Sequence, residues 1–342
     1  MRNPFTMLSR REFLAAAAKG AMVSATLPNT LHAADEAKTI ADPATTSAPL
    51  LARRDDASGH YEIREAGQLV LRYNYQTIEP GERLAAIAPG NHIYARARGN
   101  YIHPLCGLDG EELTKDWSVD HPHHRGIYWA WPEVDWRGQR GDLHALQKVF
   151  ARPTGKCAVT SGPGFAQIEA ENLWKWNDQE PIVREVALLK AYRATGEGRL
   201  LDLEFHFTAL DEPVLLARRG TNAYGGLNLR MAAVKEQQIA FHTDPTETSP
   251  RMAWAEMSGL FSNSNKAAGV VVLQHPQNPH YPGDWVKFPE LNWFQPTFPA
   301  SGLRHELKKD APLVLRFRLW IHRGPAAPAE QCARQWQAMA QA

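Results

Sequence analysis

The stretch of sequence that points most clearly to a fold class is Leu200-Leu201-Asp202-Leu203-Glu204-Phe205-His206-Phe207-Thr208. Apolar and polar residues alternate along it with the two-residue period of a β-strand. Its leucine and phenylalanine side chains would share one face, and its acidic, histidine and threonine side chains the other. The segment therefore predicts a strand with one buried face and one polar face, which either lines a groove or meets water.

Similar short runs recur along the chain. Residues 313–322 alternate in the same way, and the runs 61–65 and 69–73 flank a Gly67-Gln68 turn typical of a hairpin. Residues 95–102 are predicted to form a further strand, and 277–299, rich in proline and tryptophan, a loop.

Many short strands with turns at close spacing favour an all-β protein, built as a large antiparallel β-sandwich of mutarotase-like or jelly-roll-like type. The clearly helical pattern is at residues 328–342, which predicts a short C-terminal helix packing through Cys332, Trp336 and Met339. Because no composition break divides the later part of the chain, we expect one domain over residues 59–342.

Composition excludes some classes of protein. The 342 residues carry a net charge of +1 without a basic block, so the composition gives no reason to expect nucleic-acid binding. Eleven tryptophans and 24 prolines suit a β-rich protein with aromatic-lined grooves. Cys106, Cys157 and Cys332 are widely spaced and form no CxxC pair, so we expect free thiols.

The N-terminus carries an export pattern. Ser9-Arg10-Arg11-Glu12-Phe13-Leu14 matches the twin-arginine motif, and the weakly apolar stretch after it includes Lys19 and is too short and polar for a stable membrane span. We therefore expect a twin-arginine signal peptide over residues 1–33 and a periplasmic or secreted protein delivered by the twin-arginine machinery. Residues 34–58, rich in Ala, Thr, Asp and Pro, are predicted to form a disordered linker.

The candidate functional residues are concentrated in one segment, Asp120-His121-Pro122-His123-His124-Arg125-Gly126. It is followed by Ile127-Tyr128-Trp129-Ala130-Trp131. The proline favours extended geometry at His121, which would place His121 and His123 on one side and His124 on the other. Gly126 allows a tight backbone before a short strand. The pattern predicts imidazoles and a guanidinium at the mouth of an aromatic-walled small-molecule site.

Acid–base chemistry on a sugar is the first interpretation of this cluster. Imidazole titrates near neutral pH and can donate or accept a proton. Arg125 could hold a carboxylate or a developing oxyanion, with Glu133 or Glu204 as a base. Tryptophan faces would stack against the C–H face of a pyranose.

A divalent metal site is the second interpretation. His121 and His123 would supply two ligands on one side of an extended segment, which suits zinc, iron or copper. A third ligand would come from a carboxylate or from one of His103, His144 and His275. A purely carbohydrate-binding sandwich without catalysis is the third interpretation, although a binder has no need of a compact His/Arg cluster.

The chain also resembles a known family. His103-Pro104, the Asp120–Gly126 run with Trp131, and Gly225-Gly226-Leu227 with Arg230 are similar to the PmoA-like family, labelled after a methane oxygenase subunit. The resemblance covers residues 60–325. It implies a metal-dependent oxygenase by label and, by association with sugar oxidoreductases and glycosidases, a role in carbohydrate catabolism. A mutarotase-like sandwich with histidine acids and a carboxylate base is the mechanism implied at the level of the fold.

Together these observations predict an exported carbohydrate-active hydrolase, lyase or epimerase that acts on a small-molecule or oligosaccharide substrate. The expected catalytic residues are His121, His123, His124 and Arg125, and the expected metal ligands are His121 and His123. The expected substrate-binding residues are His103, Trp129, Trp131, Arg230, His275 and Trp285.

Overall fold

The computed structural model describes residues 49–241, 253–261, 264 and 266–341. Within this part of the chain, the strands are β1 Leu50–Arg54, β2 Tyr61–Glu65, β3 Gln68–Asn74, β4 Tyr101–Leu105, β5 Ile127–Ala130, β6 Glu133–Trp136, β7 Gln139–Gly141, β8 Val149–Ser161, β9 Phe165–Trp176, β10 Glu180–Tyr192, β11 Arg199–Ala209, β12 Val214–Ala217, β13 Gly226–Arg230, β14 Val234–Phe241, β15 Trp254–Phe261, β16 Ala267–Gln274, β17 Trp285–Phe288, β18 Trp293–Pro296, β19 Arg304–Leu307 and β20 Leu313–Arg323. The α-helix is α1, Ala329–Ala340, and short 3-10 helices span Gly81–Ala86, Pro89–Tyr94, Arg219–Thr221 and Pro289–Leu291.

The strands form three sheets. Within each sheet, the described pairings between neighbouring strands are antiparallel. One eight-stranded sheet has the order β1-β2-β3-β4-β5-β13-β18-β17, and a second has the order β14-β15-β16-β20-β11-β10-β9-β8. A four-stranded sheet, β19-β12-β6-β7, completes the sandwich. Apolar side chains from all three sheets join in one hydrophobic core. The prediction of an antiparallel β-sandwich with a short C-terminal helix is confirmed.

Strand β11 has the two faces that its sequence predicts. Its alternate residues Leu201, Leu203, Phe205 and Phe207 are buried in the core. On the outer face, its carboxylates pair with arginines directly across the strand boundary on β20. Asp202 accepts from Arg318 at 2.6 Å and Glu204 accepts from Arg316 at 2.7 Å. The polar face of β11 therefore carries cross-strand ion pairs and borders a surface groove.

Helix α1 covers part of this outer face. Cys332 and Met339 pack with Trp320 and neighbouring apolar residues of β16, and the Trp336 Nε1 donates to the Gln274 carbonyl at 3.0 Å. This is the packing predicted from the sequence. All three cysteines are free, as expected.

The start of the sandwich differs from its prediction. The signal peptide expected over residues 1–33 and the linker expected over 34–58, as far as residue 48, lie outside the described residues. Leu50–Arg54, however, is an edge strand paired with β2, because Leu50 and Ala52 alternate into the core. The ordered sheet therefore begins before residue 59.

Two further local predictions are wrong. The segment 277–299 is not simply a loop, since it holds the antiparallel pair β17 and β18, whose tryptophans are buried. The strand expected over 95–102 begins instead at Tyr101, where pairing with β3 becomes possible.

No helix in the described ranges is long and apolar enough to cross a membrane.

Candidate functional site

The histidine run lies in the long connection that leads from β4 into β5. It forms a turn rather than an extended segment, since the His124 N–H donates to the His121 carbonyl at 2.9 Å. Gly126 ends the turn with φ of +58°, and its N–H donates to the Lys115 carbonyl at 2.8 Å. A Cβ at this position would lie 2.2 Å from the Ile102 carbonyl oxygen. Only glycine fits here, which agrees with the tight backbone predicted from the sequence.

Three imidazoles meet beneath this turn. His123 and His124 come from the run itself, and His144 comes from the connection after β7. One possible ligand atom from each ring lies within 4.8 Å of those from the other two. Ring centroids are 4.5 Å apart for His123 and His124, 4.6 Å for His123 and His144, and 5.2 Å for His124 and His144. We call these three residues the histidine cluster.

His144 is held from several sides. The turn that carries it is closed by the Asp142 carboxylate, which accepts from the Ala145 N–H at 2.8 Å. Its Nδ1 lies 3.2 Å from the Tyr128 hydroxyl, and its carbonyl accepts from Arg98 at 2.5 Å. The same Arg98 guanidinium lies over the Tyr128 ring, 4.6 Å from its centroid. With Nδ1 engaged by the tyrosine, Nε2 is the free nitrogen of His144.

The imidazoles of the histidine cluster are neutral at physiological pH. Burial, with the positive charges of Arg98 and Arg125 and nearby His121 adding to it, lowers the pKa of His123 to about 3. Burial and the neighbouring histidines likewise hold the pKa of His124 and of His144 well below the ordinary value. Moreover, the Nδ1 atoms of His123 and His124 are buried without a hydrogen-bond partner among the described residues. Neutral imidazoles are ligands for a metal ion and poor proton donors, which argues against the acid role expected of His123 and His124.

His121 lies at the rim and differs from the histidine cluster. Its Nδ1 is 3.0 Å from the Asp120 carboxylate, and both side chains are substantially exposed, by 39% and 47%. The ring stacks on His124 with centroids 4.9 Å apart. Of the expected ligand pair, the structure groups His123 with His124 and His144, whereas His121 lies beside a carboxylate.

A cleft of about 510 Å³ opens over this arrangement. Its lining mixes carboxylates, amides, an arginine and tyrosine rings with the histidines. The lining residues are Asn91, Ile93, Tyr94, Asp120, His121, His123, Asp142, His144, Ala145, Gln147, Arg219 and Tyr224. The volume lies within the range of small-molecule sites, and the lining is more polar than that of an apolar-ligand pocket.

Arg125 does not face the cleft. Its side chain has no exposed surface and lies over the Trp117 ring. Its donors reach the Pro122 carbonyl at 2.9 Å, the Arg96 carbonyl at 3.2 Å and Asp116 at 3.3 Å. Because each guanidinium nitrogen has an acceptor, Arg125 fixes the histidine turn from behind, and it lies outside the lining of the cleft, where the sequence predicted a substrate-holding role.

Trp129 and Trp131 are also not wall residues of the cleft. They stack on each other with centroids 4.6 Å apart and pack edge-on against Phe207 of the opposite sheet. The Trp131 Nε1 donates to the Phe298 carbonyl at 2.8 Å. The face they share points into the sandwich, so the structure places these expected substrate-binding residues in the core and outside the cleft lining.

Three other expected members lie elsewhere. The His103 Nδ1 is 3.1 Å from the Thr114 hydroxyl, outside the cleft lining. His275 lines the separate groove beside Arg316 on the outer face of the second sheet. Trp285 packs against Phe294 at 6.3 Å. The expected residue Arg230 does lie near the cluster, since its Nη2 is 3.6 Å from the rim carboxylate of Asp120.

Sequence reasoning named His144 only as one of several third ligands and missed Tyr128, Arg98 and the lining from Arg219 to Tyr224. A buried polar residue inside an apolar strand, such as Tyr128 in Ile-Tyr-Trp-Ala, was the available signal for the first of these. The others depend on loops that come together only in the folded chain.

The chain matches a known family model over most of its length. The model, which covers residues 60–337, is that of a family of unknown function, DUF6807, and the chain belongs to this family. The expected PmoA-like membership is wrong, because this match gives it no support. No curated protein matches the chain.

Among solved structures, one match is described as "Putative kojibiose phosphorylase from human microbiome". It is 8% identical with a TM-score of 0.25, and the match covers 63% of this chain and 25% of that one. This chain thus spans about a quarter of the length of that protein, and so distant a likeness says nothing about activity.

Proposed function

We propose that this DUF6807 protein is a metal-dependent enzyme of carbohydrate chemistry, with one divalent transition-metal ion bound by His123, His124 and His144. The observation that carries the proposal is the convergence of three neutral imidazoles, two buried and one half-buried, with their ligand atoms within 4.8 Å of one another. Buried imidazole nitrogens without partners are costly in a folded protein, and a metal ion satisfies them.

The donor set itself indicates the kind of ion. Three imidazoles without a thiolate suit zinc, copper, iron or nickel, and they leave coordination positions open to water or to a substrate oxygen. The Tyr128 hydroxyl at His144 Nδ1 is the outer hydrogen bond that orients metal-binding histidines. When bound, such an ion supplies Lewis acidity to an oxygen placed against it.

Proton transfer falls to the rim pair. The Asp120 carboxylate lies 3.0 Å from His121 Nδ1, and in this proposal the His121 imidazole exchanges a proton with a substrate through Nε2. The stacking of His121 on His124 places this base next to the metal site. A base beside a Lewis acid serves glycoside hydrolysis, elimination and epimerisation, the reaction classes expected from the sequence.

The cleft supports a polyhydroxylated substrate. Its carboxylates, amides and Arg219 offer hydrogen bonds to hydroxyl groups, and the rings of Tyr94 and Tyr224 offer faces to sugar C–H groups. The volume of about 510 Å³ suits a molecule of one or two sugar rings.

The test is metal content with matched variants. The purified full chain, loaded with zinc and passed through a desalting column, is expected to retain close to one ion per chain. His144→Ala and His124→Ala are expected to lose it, whereas His103→Ala, outside the histidine cluster, retains it. Equal metal content in all four proteins, or none in the parent, would contradict the proposal. A screen of glycosides and keto-sugars with the loaded protein then separates the reaction classes.

We also propose that the chain is exported through the twin-arginine machinery, on the strength of Arg10-Arg11 and the weakly apolar stretch after them. These residues lie outside the described part of the chain. An oxidising compartment is compatible with the three free cysteines, because Cys106 and Cys332 are buried.

A further inference from the structure

Arg230 is fixed to the histidine turn by its backbone. It is the last residue of β13 and lies opposite Trp293 of β18. Its N–H donates to the Gly126 carbonyl at 2.8 Å, and its own carbonyl accepts from the Lys115 N–H at 3.0 Å. The side chain, only 8% exposed, therefore lies next to the histidines in a position set by two strands and the turn.

The guanidinium of Arg230 has no hydrogen bond among the described residues. Its Nε and Nη1 are buried without a partner, and Nη2 lies 3.6 Å from Asp120 Oδ1, which is a charge contact only. Other buried arginines differ. Arg98 donates to two carbonyls, and Arg218 donates to two carbonyls and to Asp284. Buried donors without an acceptor destabilise a protein, so Nε and Nη1 of Arg230 call for an acceptor that the described residues do not provide.

A second donor on the same side also lacks its acceptor. The Trp293 Nε1 is buried without a partner among the described residues, and the indole lies 5.2 Å from the His124 ring. Two strong donors next to the histidine cluster call for an anionic oxygen group rather than for another donor.

Asp120 does not fill this need. Its Oδ2 lies 3.0 Å from His121 Nδ1, and its Oδ1 approaches only Nη2 of Arg230, at 3.6 Å. The remaining donors, Nε and Nη1, are left for a ligand. A carboxylate is the planar group that matches a guanidinium best, and sugars carry it as uronates and aldonates.

We propose that the site takes an acidic sugar, whose carboxylate binds to Arg230 and Trp293 beside His124. This inference deepens the proposed function and rests on it for the identity of the site. It transfers to Arg230 the anion-binding role that sequence reasoning gave to Arg125.

The experiment is isothermal titration of the zinc-loaded full chain with galacturonate, galactose and inorganic phosphate. Wild type is expected to bind galacturonate at least about tenfold tighter than galactose. Arg230→Gln is expected to lose this preference, and Arg230→Lys to recover part of it. Arg323→Gln is the control and is expected to keep the preference, because that arginine lies outside the cleft lining and is paired with Asp109 at 3.0 Å.

The outcomes separate the two proposals. Equal affinity for galacturonate and galactose in wild type, or a preference that survives in Arg230→Gln, overturns the acidic-sugar inference. Binding of phosphate in place of galacturonate overturns it as well. Retention of zinc by Arg230→Gln shows that the variant is folded and that metal binding does not depend on Arg230. A carboxylate preference in a protein that binds no zinc would instead leave this inference standing and refute the metal proposal.

Discussion

At the scale of single residues, the role of a polar or aromatic side chain depends on the neighbours that the fold gives it. The sequence alone predicts these neighbours poorly. Arg125, Trp129 and Trp131 are residue types typical of a binding site. In the structure Arg125 donates to three acceptors, and the two tryptophans pack in the core. Arg230, at the end of a mostly apolar strand, has no hydrogen-bond acceptor for Nε and Nη1 among the described residues. The acceptors of Arg125 lie in the loops before β5, at Pro122, Asp116 and Arg96, and the sequence alone does not show that they converge on this side chain.

A buried carboxyl inside the sandwich gives a pH-dependent prediction. Burial raises the pKa of Glu185 to about 7, although Trp174 donates to it at 2.6 Å. Between the ordinary value of 4.5 and 7, the folded protein keeps a proton that the unfolded chain has released. The free energy of unfolding therefore falls as pH rises through this range, by up to about 1.4 kcal/mol per pH unit from this group.

Urea unfolding of wild type and Glu185→Gln at a series of pH values isolates this contribution, because the buried histidines affect both proteins equally. The stability of the variant relative to wild type is expected to rise from pH 5 to 7 and to level off above. Glu169→Gln, an exposed carboxyl on the neighbouring strand β9, is the control and should run parallel to wild type. Parallel profiles for Glu185→Gln would refute the assignment.

At the scale of elements, the turn before β5 determines the site. The strand alternation of β11 and the helix at the C-terminus follow from local periodicity, and both are predicted correctly. The turn is predicted only in part. Its glycine is evident from the sequence, but the pairing of His124 with His144 needs the loop after β7 to fold back beneath it.

Replacement of Gly126 tests this element. Alanine there meets the unfavourable left-handed backbone, which costs about 1–2 kcal/mol, and a Cβ contact of 2.2 Å with the Ile102 carbonyl. We expect Gly126→Ala to lower the free energy of unfolding by about 2–4 kcal/mol in chemical denaturation and to weaken zinc retention.

Gly110→Ala is the control for this change, because Gly110 also has positive φ, of +88°, but no atom lies within 4 Å of the point that its Cβ would occupy. The free energy of unfolding of Gly110→Ala should fall only by the cost of the left-handed backbone, about 1–2 kcal/mol. If the two variants were equally stable, the close approach to Ile102 would not constrain the turn.

At the scale of the whole molecule, the sandwich follows from the sequence because alternation is a local property with a global consequence. The strands at the edges of the sandwich are harder to predict from the sequence. Strand β1 lies in a segment whose composition resembles a linker, and β17 and β18 lie in a proline-rich segment. Pairing with a neighbouring strand, which composition does not record, orders them.

Export is the prediction that concerns the complete chain. In a host with the twin-arginine machinery, the full chain is expected in the periplasmic fraction. The double change Arg10→Lys and Arg11→Lys should leave it in the cytoplasm, because the pathway reads the arginine pair. Arg2→Lys lies outside the motif and serves as the control. Periplasmic accumulation of the double variant would show that this motif does not direct the protein.

The metal site of the histidine cluster is the central claim. Its most direct measurement is a crystal structure of the zinc-loaded protein with anomalous diffraction recorded above and below the zinc edge. We predict one strong peak with nitrogens of His123, His124 and His144 at about 2.0–2.1 Å. The absence of a peak there, or a peak bound by His121 and Asp120 alone, would contradict the claim.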